Sequence, residues 1–286
     1  MMASPLLYPG QTLHARLSAP ELGAQNFTVG FRLMVYSSND KLVAVDSDST
    51  IALRAESHLA ELSWTIPIEL SNKPIQQVGL LITPLAIPAK NISATVYLHS
   101  LSWVGAPHMT LQRPAVSEQA GVENSADLMS MWERSFVSSV DKFHTSLGPS
   151  FYLSQDRGQG MIIHGTREWK DYKIRVNKFA VHLGQPAGVA VRVRGLRRWY
   201  ALMFLPGKVA IVKTRDDERK NLAMAEFDWK LDAKYEVQVC VEADKITGQI
   251  GELVISAEDD EYEGGGIGLI VTEGAVSADR IQIQPI

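Results

Sequence analysis

The sequence is poor in cysteine, in long apolar runs and in excess charge. Cys240 is the only cysteine among 286 residues, so no disulfide can form within the chain, and a reducing compartment is favoured. A formal net charge of −4 gives no general attraction to nucleic acid or to an anionic membrane. No apolar run reaches the length of a membrane-spanning helix, about 18 residues, and the first residues lack the pattern of a signal peptide. We therefore expect a cytoplasmic protein with no nucleic-acid or membrane partner.

The motifs of common cofactor and catalytic sites are also missing. The chain has no GxxxxGK[ST] phosphate loop, no complete GxGxxG turn before a helix, no GxSxG and no HExxH. Its seven histidines include no pair at metal-ligand spacing. The acidic run at 258–263 lacks the spaced pattern of a calcium loop, so an exposed hairpin loop is favoured there. The sequence predicts neither a metal nor a cofactor.

The chain is rich in short stretches of alternating apolar residues. Phe27–Tyr36 has an apolar side chain at every second position, which predicts a strand with one buried face. Turn formers follow at 37–40, and Lys41–Val45 begins the return strand of a hairpin. Residues 1–113 are therefore predicted to form a β-sandwich. Its further strands are predicted at Leu59–Ile66, Gln77–Thr83 and Thr95–Trp103.

The middle of the chain reads as a connection. Residues 114–149 are predicted to be a linker followed by a short amphipathic helix, because the apolar residues of Leu128–Phe143 recur at helical spacing. Ser125–Asp127 would cap this helix. We expect the rings of Trp132 and Phe136 to bury the seam between two domains.

Residues 150–286 return to short strands, about eleven in number, as a two-sheet jelly roll would have. The charged stretch Arg215–Lys220 is interpreted as a solvated hairpin tip. The predicted strands are Phe151–Ser154, Gly160–His164, Tyr172–Phe179, Gly188–Arg194, Trp199–Leu205, Lys208–Lys213, Leu222–Phe227, Tyr235–Glu242, Gly248–Ile255, Gly266–Thr272 and Arg280–Gln284.

Five stretches carry a resemblance to known proteins: Leu101–Pro107, Met131–Phe143, Arg157–Tyr172, Ala187–Leu202 and Gly264–Gly274. The second half resembles the concanavalin A-like, laminin G-type jelly rolls. The whole chain is similar to the β-rich region that follows the catalytic domain in microbial ADP-ribosylglycohydrolase-family proteins. That family's catalytic domain is α-helical and holds two magnesium ions with clustered acids. These residues contain no such domain, so its activity is not carried over.

The fold class predicted is therefore all-β. It comprises two β-sandwich domains, at 1–113 and 150–286, joined by the linker and short helix of 114–149. The second domain is expected to be a concanavalin A-like jelly roll.

An arginine-rich strand is the first candidate for a binding site. Alternation that buries the valines of Gly188–Arg194 puts Arg192 and Arg194 together on the other face. The planar guanidinium binds carboxylates, phosphates or vicinal hydroxyls, and Trp199 or Tyr200 offers a surface on which a sugar stacks. The alternative is an ordinary solvated sheet face on which arginine stems cover aromatic rings.

Two further places support a site. Tyr235–Glu242 has a polar face that includes Gln238, which is compatible with a groove on the same sheet. His164 ends a predicted strand near Arg167 and is the best candidate for a general acid or base. A structural histidine at a strand end is the alternative.

The leading hypothesis is a non-catalytic module that binds a carbohydrate or ribosyl-type ligand through Arg192, Arg194, Trp199 or Tyr200. The alternative is a stand-alone enzyme, a small-molecule cyclase or isomerase or a glycoside-type hydrolase, with a pocket between or within the β-domains. A third interpretation is an interaction scaffold. The sequence also leaves open whether the chain forms a homodimer.

Overall fold

The structure, a computed structural model, is built almost entirely of strands. It describes residues 7–20, 27–54, 59–85, 95–114, 130–144, 148–184 and 186–286. These residues divide into two compact units, 7–105 in one and 106–114 with 130–286 in the other. Most of the predicted linker and the predicted cap Ser125–Asp127 lie outside the described residues.

The first unit consists of two three-stranded antiparallel sheets, with strand orders β4-β1-β6 and β3-β2-β5. Its strands are β1 (Thr12–Ser18), β2 (Phe27–Tyr36), β3 (Leu42–Leu53), β4 (Ala60–Thr65), β5 (Ile75–Pro84) and β6 (Tyr97–Val104), with one 3₁₀ turn at Ile68–Leu70. The inward side chains of both sheets share one apolar core, in which Leu13, Leu17, Phe31 and Leu33 are fully buried. Two sheets that pack on a common core make this unit a β-sandwich.

The described residues of the second unit form fourteen strands and one helical turn. They are β7 (Met109–Leu111), α1 (Met131–Arg134), β8 (Val137–Ser138), β9 (Lys142–His144), β10 (Phe151–His164), β11 (Tyr172–Leu183), β12 (Ala187–Gly195), β13 (Arg198–Leu205), β14 (Lys208–Arg215), β15 (Glu218–Glu226), β16 (Tyr235–Glu242), β17 (Lys245–Ile250), β18 (Leu253–Glu258), β19 (Gly266–Ala278) and β20 (Arg280–Pro285).

These strands form two antiparallel layers that share β11. Up to Phe179, β11 pairs with β16 and β20, and from Ala180 onward it pairs with β19. One layer continues from β19 through β12, β13, β14 and β15, and the other from β16 through β17 and β18. A strand that passes between two sheets closes a corner of the sandwich. The second unit is thus a two-layered antiparallel β-sandwich, and the predicted all-β class with two sandwiches is confirmed.

In the described part of the segment predicted as an amphipathic helix, one turn is helical, Met131–Arg134. Ser130 caps that turn by accepting a hydrogen bond from the Glu133 backbone, and the Glu133 carboxylate accepts one from the Ser130 backbone. After this turn the chain forms two short strands, β8 and β9, which each pair with β10. The helix predicted over Leu128–Phe143 was therefore too long.

The same segment belongs to the core of the second unit. Trp132 and Phe136 are buried, and their rings contact each other as well as Phe143 and Phe151. We expected these two rings to fill a seam between domains, but all four aromatic residues lie in one unit. Strand β7, assigned from the sequence to the first domain, pairs with β20 and also belongs to the second unit.

Candidate functional site

A cleft of about 300 Å³ lies where four segments of the second unit meet. Side chains of the β10–β11 loop, of β12, of the β16–β17 turn and of the β18–β19 loop form it. Ligand sites are commonly built from loops that a rigid scaffold holds in place, and this cleft has that construction. Six charged residues and one alanine line it: Lys170, Asp171, Arg192, Ala243, Asp244, Asp260 and Glu263.

Arg192 forms the inner end of the cleft and is 1% exposed. Its Nη1 donates to the Tyr262 carbonyl at 3.1 Å, and its Nη2 lies 3.4 Å from the Lys170 carbonyl and 3.5 Å from Asp171 Oδ1. Its Nε is buried and has no hydrogen-bond partner among the described residues. Buried donors are nearly always paired, and this Nε is an exception within the described part of the chain.

A β-bulge in β12 sets the position of this arginine. The register of β12 on β19 shifts between Ala190 and Val193, and Arg192 adopts a left-handed φ of 49°. The Arg192 backbone N–H donates to the buried Tyr172 hydroxyl at 2.8 Å. Beyond the bulge Val193 packs in the same apolar cluster as Ala190, although strict alternation places them on opposite faces. The predicted alternation of one buried valine face and one polar face was therefore wrong, because β12 is buried on both faces as far as Val193.

Three consecutive glycines bring the β18–β19 loop against this bulge. A Cβ added to Gly264 would lie 2.6 Å from the Arg167 carbonyl oxygen, and one added to Gly265 would lie 2.6 Å from Val193 N. Real Cβ atoms essentially never come within 3.0 Å of such neighbours. The glycine run is thus required for backbone packing, and it places Glu263 beside Arg192.

Asp171 connects two walls of the cleft. Its Oδ1 accepts a hydrogen bond from the Ala243 backbone at 2.8 Å and faces the Arg192 guanidinium. Lys170 Nζ lies 3.7 Å from Glu263 Oε2, with both side chains mostly exposed, so this ion pair contributes little. Lys170 and Glu263 can therefore give up their mutual ion pair and bind a ligand instead.

The lining carries more acceptors than donors. Four acidic and two basic side chains give a formal charge of −2. Within the described part of the chain, no ion pair or hydrogen bond engages the exposed carboxylates of Asp244 and Asp260. The site can therefore accept hydrogen bonds at several points while Arg192 and Lys170 donate.

A partly buried ionic cluster holds the loop that carries Asp260 and Glu263. Lys213 Nζ lies 2.5 Å from Asp259 Oδ2, and the Tyr200 hydroxyl donates to Asp259 Oδ1 at 2.5 Å. Burial alone would raise the pKa of Asp259, but the hydrogen bonds from Lys213 and Tyr200 outweigh it and hold that pKa below its usual range. The loop is fixed at its base, while Asp260 and Glu263 line the cleft.

The predicted aromatic platform is not at the surface. Trp199 and Tyr200 are each 0% exposed, so neither ring can stack on a sugar. Trp199 Nε1 donates to the Leu196 carbonyl, and the Tyr200 hydroxyl accepts from the Tyr262 backbone. Strands β12 and β13 are buried on both faces, which the alternation in the sequence did not indicate.

Of the other predicted ligand-binding residues, none lines the cleft. Arg194 Nε donates to the Gly264 carbonyl at 2.9 Å, and its guanidinium lies 5.6 Å from the centre of the Tyr262 ring, so it supports the loop. The side chain of Arg167 is exposed. Gln238 lies half-buried on β16 and donates to Glu236.

His164 lies in the aromatic core rather than at a groove mouth. It is 5% exposed, and its ring is 4.7 Å from Phe136 and 6.4 Å from Trp169, measured between ring centres. Burial lowers the pKa of His164 to about 4, although a hydrogen bond with the Ser135 backbone acts against this shift. The interpretation as a structural histidine fits these contacts, and the interpretation as a general acid or base does not.

This histidine should make the second unit less stable in acid. Its folded pKa is below the unfolded value, so the unfolded chain binds the proton first and stability falls as the pH drops from about 6.5 towards 4. We expect wild type to lose about 2 kcal/mol more than His164→Gln between pH 7.5 and pH 5. Urea unfolding at both pH values measures this, with exposed His108→Gln as control. An equal loss in all three proteins would contradict the assignment.

No group of three or more metal-ligating side chains occurs among the residues that the structure describes. Cys240 is half-buried, and burial together with the Glu242 charge raises its pKa, which disfavours the reactive thiolate. Within the described ranges, no helix is both long and apolar enough to cross a bilayer.

The chain defines an all-β protein with two sandwiches and a charged cleft, and no family model and no curated protein matches it. Solved structures similar to it include the carbohydrate-binding module CBM66 from Bacillus subtilis, at 13% identity and a TM-score of 0.47 over 52% of this chain and 94% of that one. A Bacillus subtilis protein of unknown function with a galectin-like fold matches at 11% identity and 0.41, over 52% and 88%. The Caenorhabditis elegans galectin LEC-6 matches at 12% and 0.33, over 40% and 83%. Similarities this low do not transfer a ligand, so functional conclusions have to come from the chain's own side chains.

Proposed function

We propose that the charged cleft of the second unit binds a neutral carbohydrate without transforming it. The observation that carries this is a cleft that joins the buried Arg192, fixed by the Tyr262 and Lys170 carbonyls, to two exposed carboxylates. Among the described residues, those carboxylates, of Asp244 and Asp260, have no partner. Each sugar hydroxyl both donates and accepts a hydrogen bond. A lining that combines a fixed guanidinium with several carboxylates can both donate hydrogen bonds to adjacent hydroxyls and accept hydrogen bonds from them.

The charge of the lining favours a neutral ligand over a phosphorylated one. Four carboxylates against two cations repel phosphate groups, so a ribose or hexose ring fits this chemistry better than an intact ADP-ribose. Because the lining residues include no aromatic ring, we expect specificity from hydrogen bonds and only modest affinity.

The experiment is a calorimetric titration of the whole chain with neutral pentoses, hexoses and their disaccharides, and with ADP-ribose. Asp244→Asn and Asp260→Asn each change a carboxylate to an amide without changing its size. For the sugar that binds, we expect each variant to weaken affinity about tenfold, as the loss of one hydrogen bond to a charged group would.

Asp217→Asn is the matched control, because Asp217 lies on the β14–β15 turn with its side chain 84% exposed. We expect it to bind like wild type. Three results would count against the proposal: no binding of any neutral sugar, equal losses in the cleft and control variants, or a preference for ADP-ribose over the uncharged sugars.

A further inference from the structure

Three side chains of the second unit form a chain of hydrogen bonds far from the cleft. His182 Nδ1 lies 2.6 Å from Asp232 Oδ1, and His182 Nε2 lies 2.8 Å from Ser277 Oγ. A carboxylate only accepts hydrogen bonds, so in the neutral imidazole Nδ1 carries the proton and Nε2 accepts from the serine hydroxyl. This is the order of groups that activates a serine nucleophile.

The fold creates this arrangement at an irregularity in β11. Its register on β19 shifts between Val181 and Leu183, which leaves His182 without a register partner in β19. Bulges of this kind re-aim a side chain. On β19, Ser277 is paired with Ala180. Asp232 adopts a left-handed φ of 62°, and its backbone N–H donates to the Val181 carbonyl at 2.9 Å, which fixes the acid beside the histidine.

The surroundings combine an oriented imidazole with an exposed apolar rim. The Tyr152 ring stacks on His182 with centres 5.4 Å apart and planes 20° apart. Ser277 is 7% exposed and the His182 side chain 27% exposed, so the hydroxyl lies just beneath the surface. Leu183 and Leu231, the neighbours of the histidine and the acid, are 65% and 52% exposed. Such a rim suits the apolar part of a small ester.

We propose that Ser277, His182 and Asp232 form an acyl-transfer site for small carboxylic esters. Ser277 Oγ attacks the ester carbonyl carbon while its proton passes to His182 Nε2, and Asp232 stabilises the imidazolium. The carbon–oxygen bond to the alcohol breaks, and the alcohol takes the proton from Nε2. Water then attacks the acyl-serine with His182 again as base, which releases the carboxylic acid and restores the serine.

This activity is separate from carbohydrate binding at the cleft. Asp171 immediately precedes β11 and His182 lies near the end of that strand, eleven positions further on, which is up to about 35 Å at strand rise. Failure of sugar binding would therefore leave the acyl-transfer site untouched, and the reverse also holds.

The test uses the whole chain with p-nitrophenyl acetate. We expect an initial burst of p-nitrophenolate, close to one equivalent per chain, and an acetyl group on Ser277 when the reaction is quenched in acid and mapped by mass spectrometry. In Ser277→Ala the rate should fall by about 10²-fold or more, the usual contribution of a base-assisted nucleophile. Asp232→Asn should lower the rate with the burst retained. Exposed Ser256→Ala on β18 is the control and should behave like wild type.

Two outcomes would overturn the proposal. A wild-type rate in Ser277→Ala would show that the histidine acts alone on the ester or that hydrolysis occurs elsewhere. Absence of acetyl on Ser277 in the wild-type chain would assign the three residues a structural role only. The mapping needs no variant, so it decides the question even if Ser277→Ala fails to fold.

Discussion

Replacing Gly265 with alanine is expected to destabilise the second unit by about 3 kcal/mol. The new Cβ would lie 2.6 Å from both the Arg192 carbonyl oxygen and Val193 N, and closer still to the Arg192 carbonyl carbon. These are backbone atoms of the bulge, held by the β12–β19 ladder and by the Tyr172 hydroxyl, so they cannot move aside like the end of a flexible side chain. Urea unfolding followed by tryptophan fluorescence measures the loss.

Gly251→Ala is the control for Gly265→Ala, because it introduces backbone strain without a steric overlap. Gly251 lies in the β17–β18 turn with a φ of 58°, and an added Cβ would meet no atom within 4 Å. Its cost should be about 1 kcal/mol, the price of a left-handed conformation for alanine. If Gly265→Ala were no worse than Gly251→Ala, the loop would not pack as tightly on the bulge as the structure shows. Gly265→Ala should also weaken sugar binding, because the overlap displaces Glu263.

Regular strands were predictable where one face is buried and the other is more exposed, because apolar and polar residues then alternate in the sequence. Phe27–Tyr36 and Tyr235–Glu242 match β2 and β16 at both ends, since each strand buries one face and alternates cleanly. By contrast, Gly248–Ile255 was predicted as one strand, and the structure has a turn at Gly251 between β17 and β18. Strand β1 was missed, although Leu13, Ala15 and Leu17 alternate, because no turn signal was assigned before it.

The site was predictable only in part. Arg192 was chosen from the sequence and does line the cleft, but the bulge at this residue has no local signature. Asp260 and Glu263 belong to an acidic run that was interpreted as an exposed loop, and long-range packing of glycines brings that loop to Arg192. Asp171 and Asp244 come from ordinary polar turns. Sites assembled from distant loops depend on strand order, which local patterns do not contain.

The second large prediction concerns the buried Tyr172 hydroxyl, because it is the hydrogen-bond acceptor for the backbone N–H of Arg192 in the bulge. It accepts from Arg192 N at 2.8 Å and lies 3.0 Å from the carbonyl oxygens of Gly265 and Gly266, with the residue 0% exposed. Burial raises the pKa of Tyr172 well above its usual range, so the hydroxyl stays a donor. Tyr172→Phe leaves the Arg192 N–H buried without an acceptor, and we expect a loss of about 2–3 kcal/mol.

Tyr235→Phe shows how much of that loss comes from burial. The Tyr235 hydroxyl also accepts one backbone hydrogen bond, from Lys230 N at 2.9 Å, but in an exposed setting where water can replace it. Its removal should therefore cost less than about 1 kcal/mol. Urea unfolding of the two variants, with hydrogen exchange of the Arg192 amide, makes the comparison. Equal losses of stability in the two variants would mean that the bulge holds Arg192 without the tyrosine. A larger loss of stability and faster exchange of the Arg192 amide in Tyr172→Phe would identify the Tyr172 hydroxyl as the link between core and cleft.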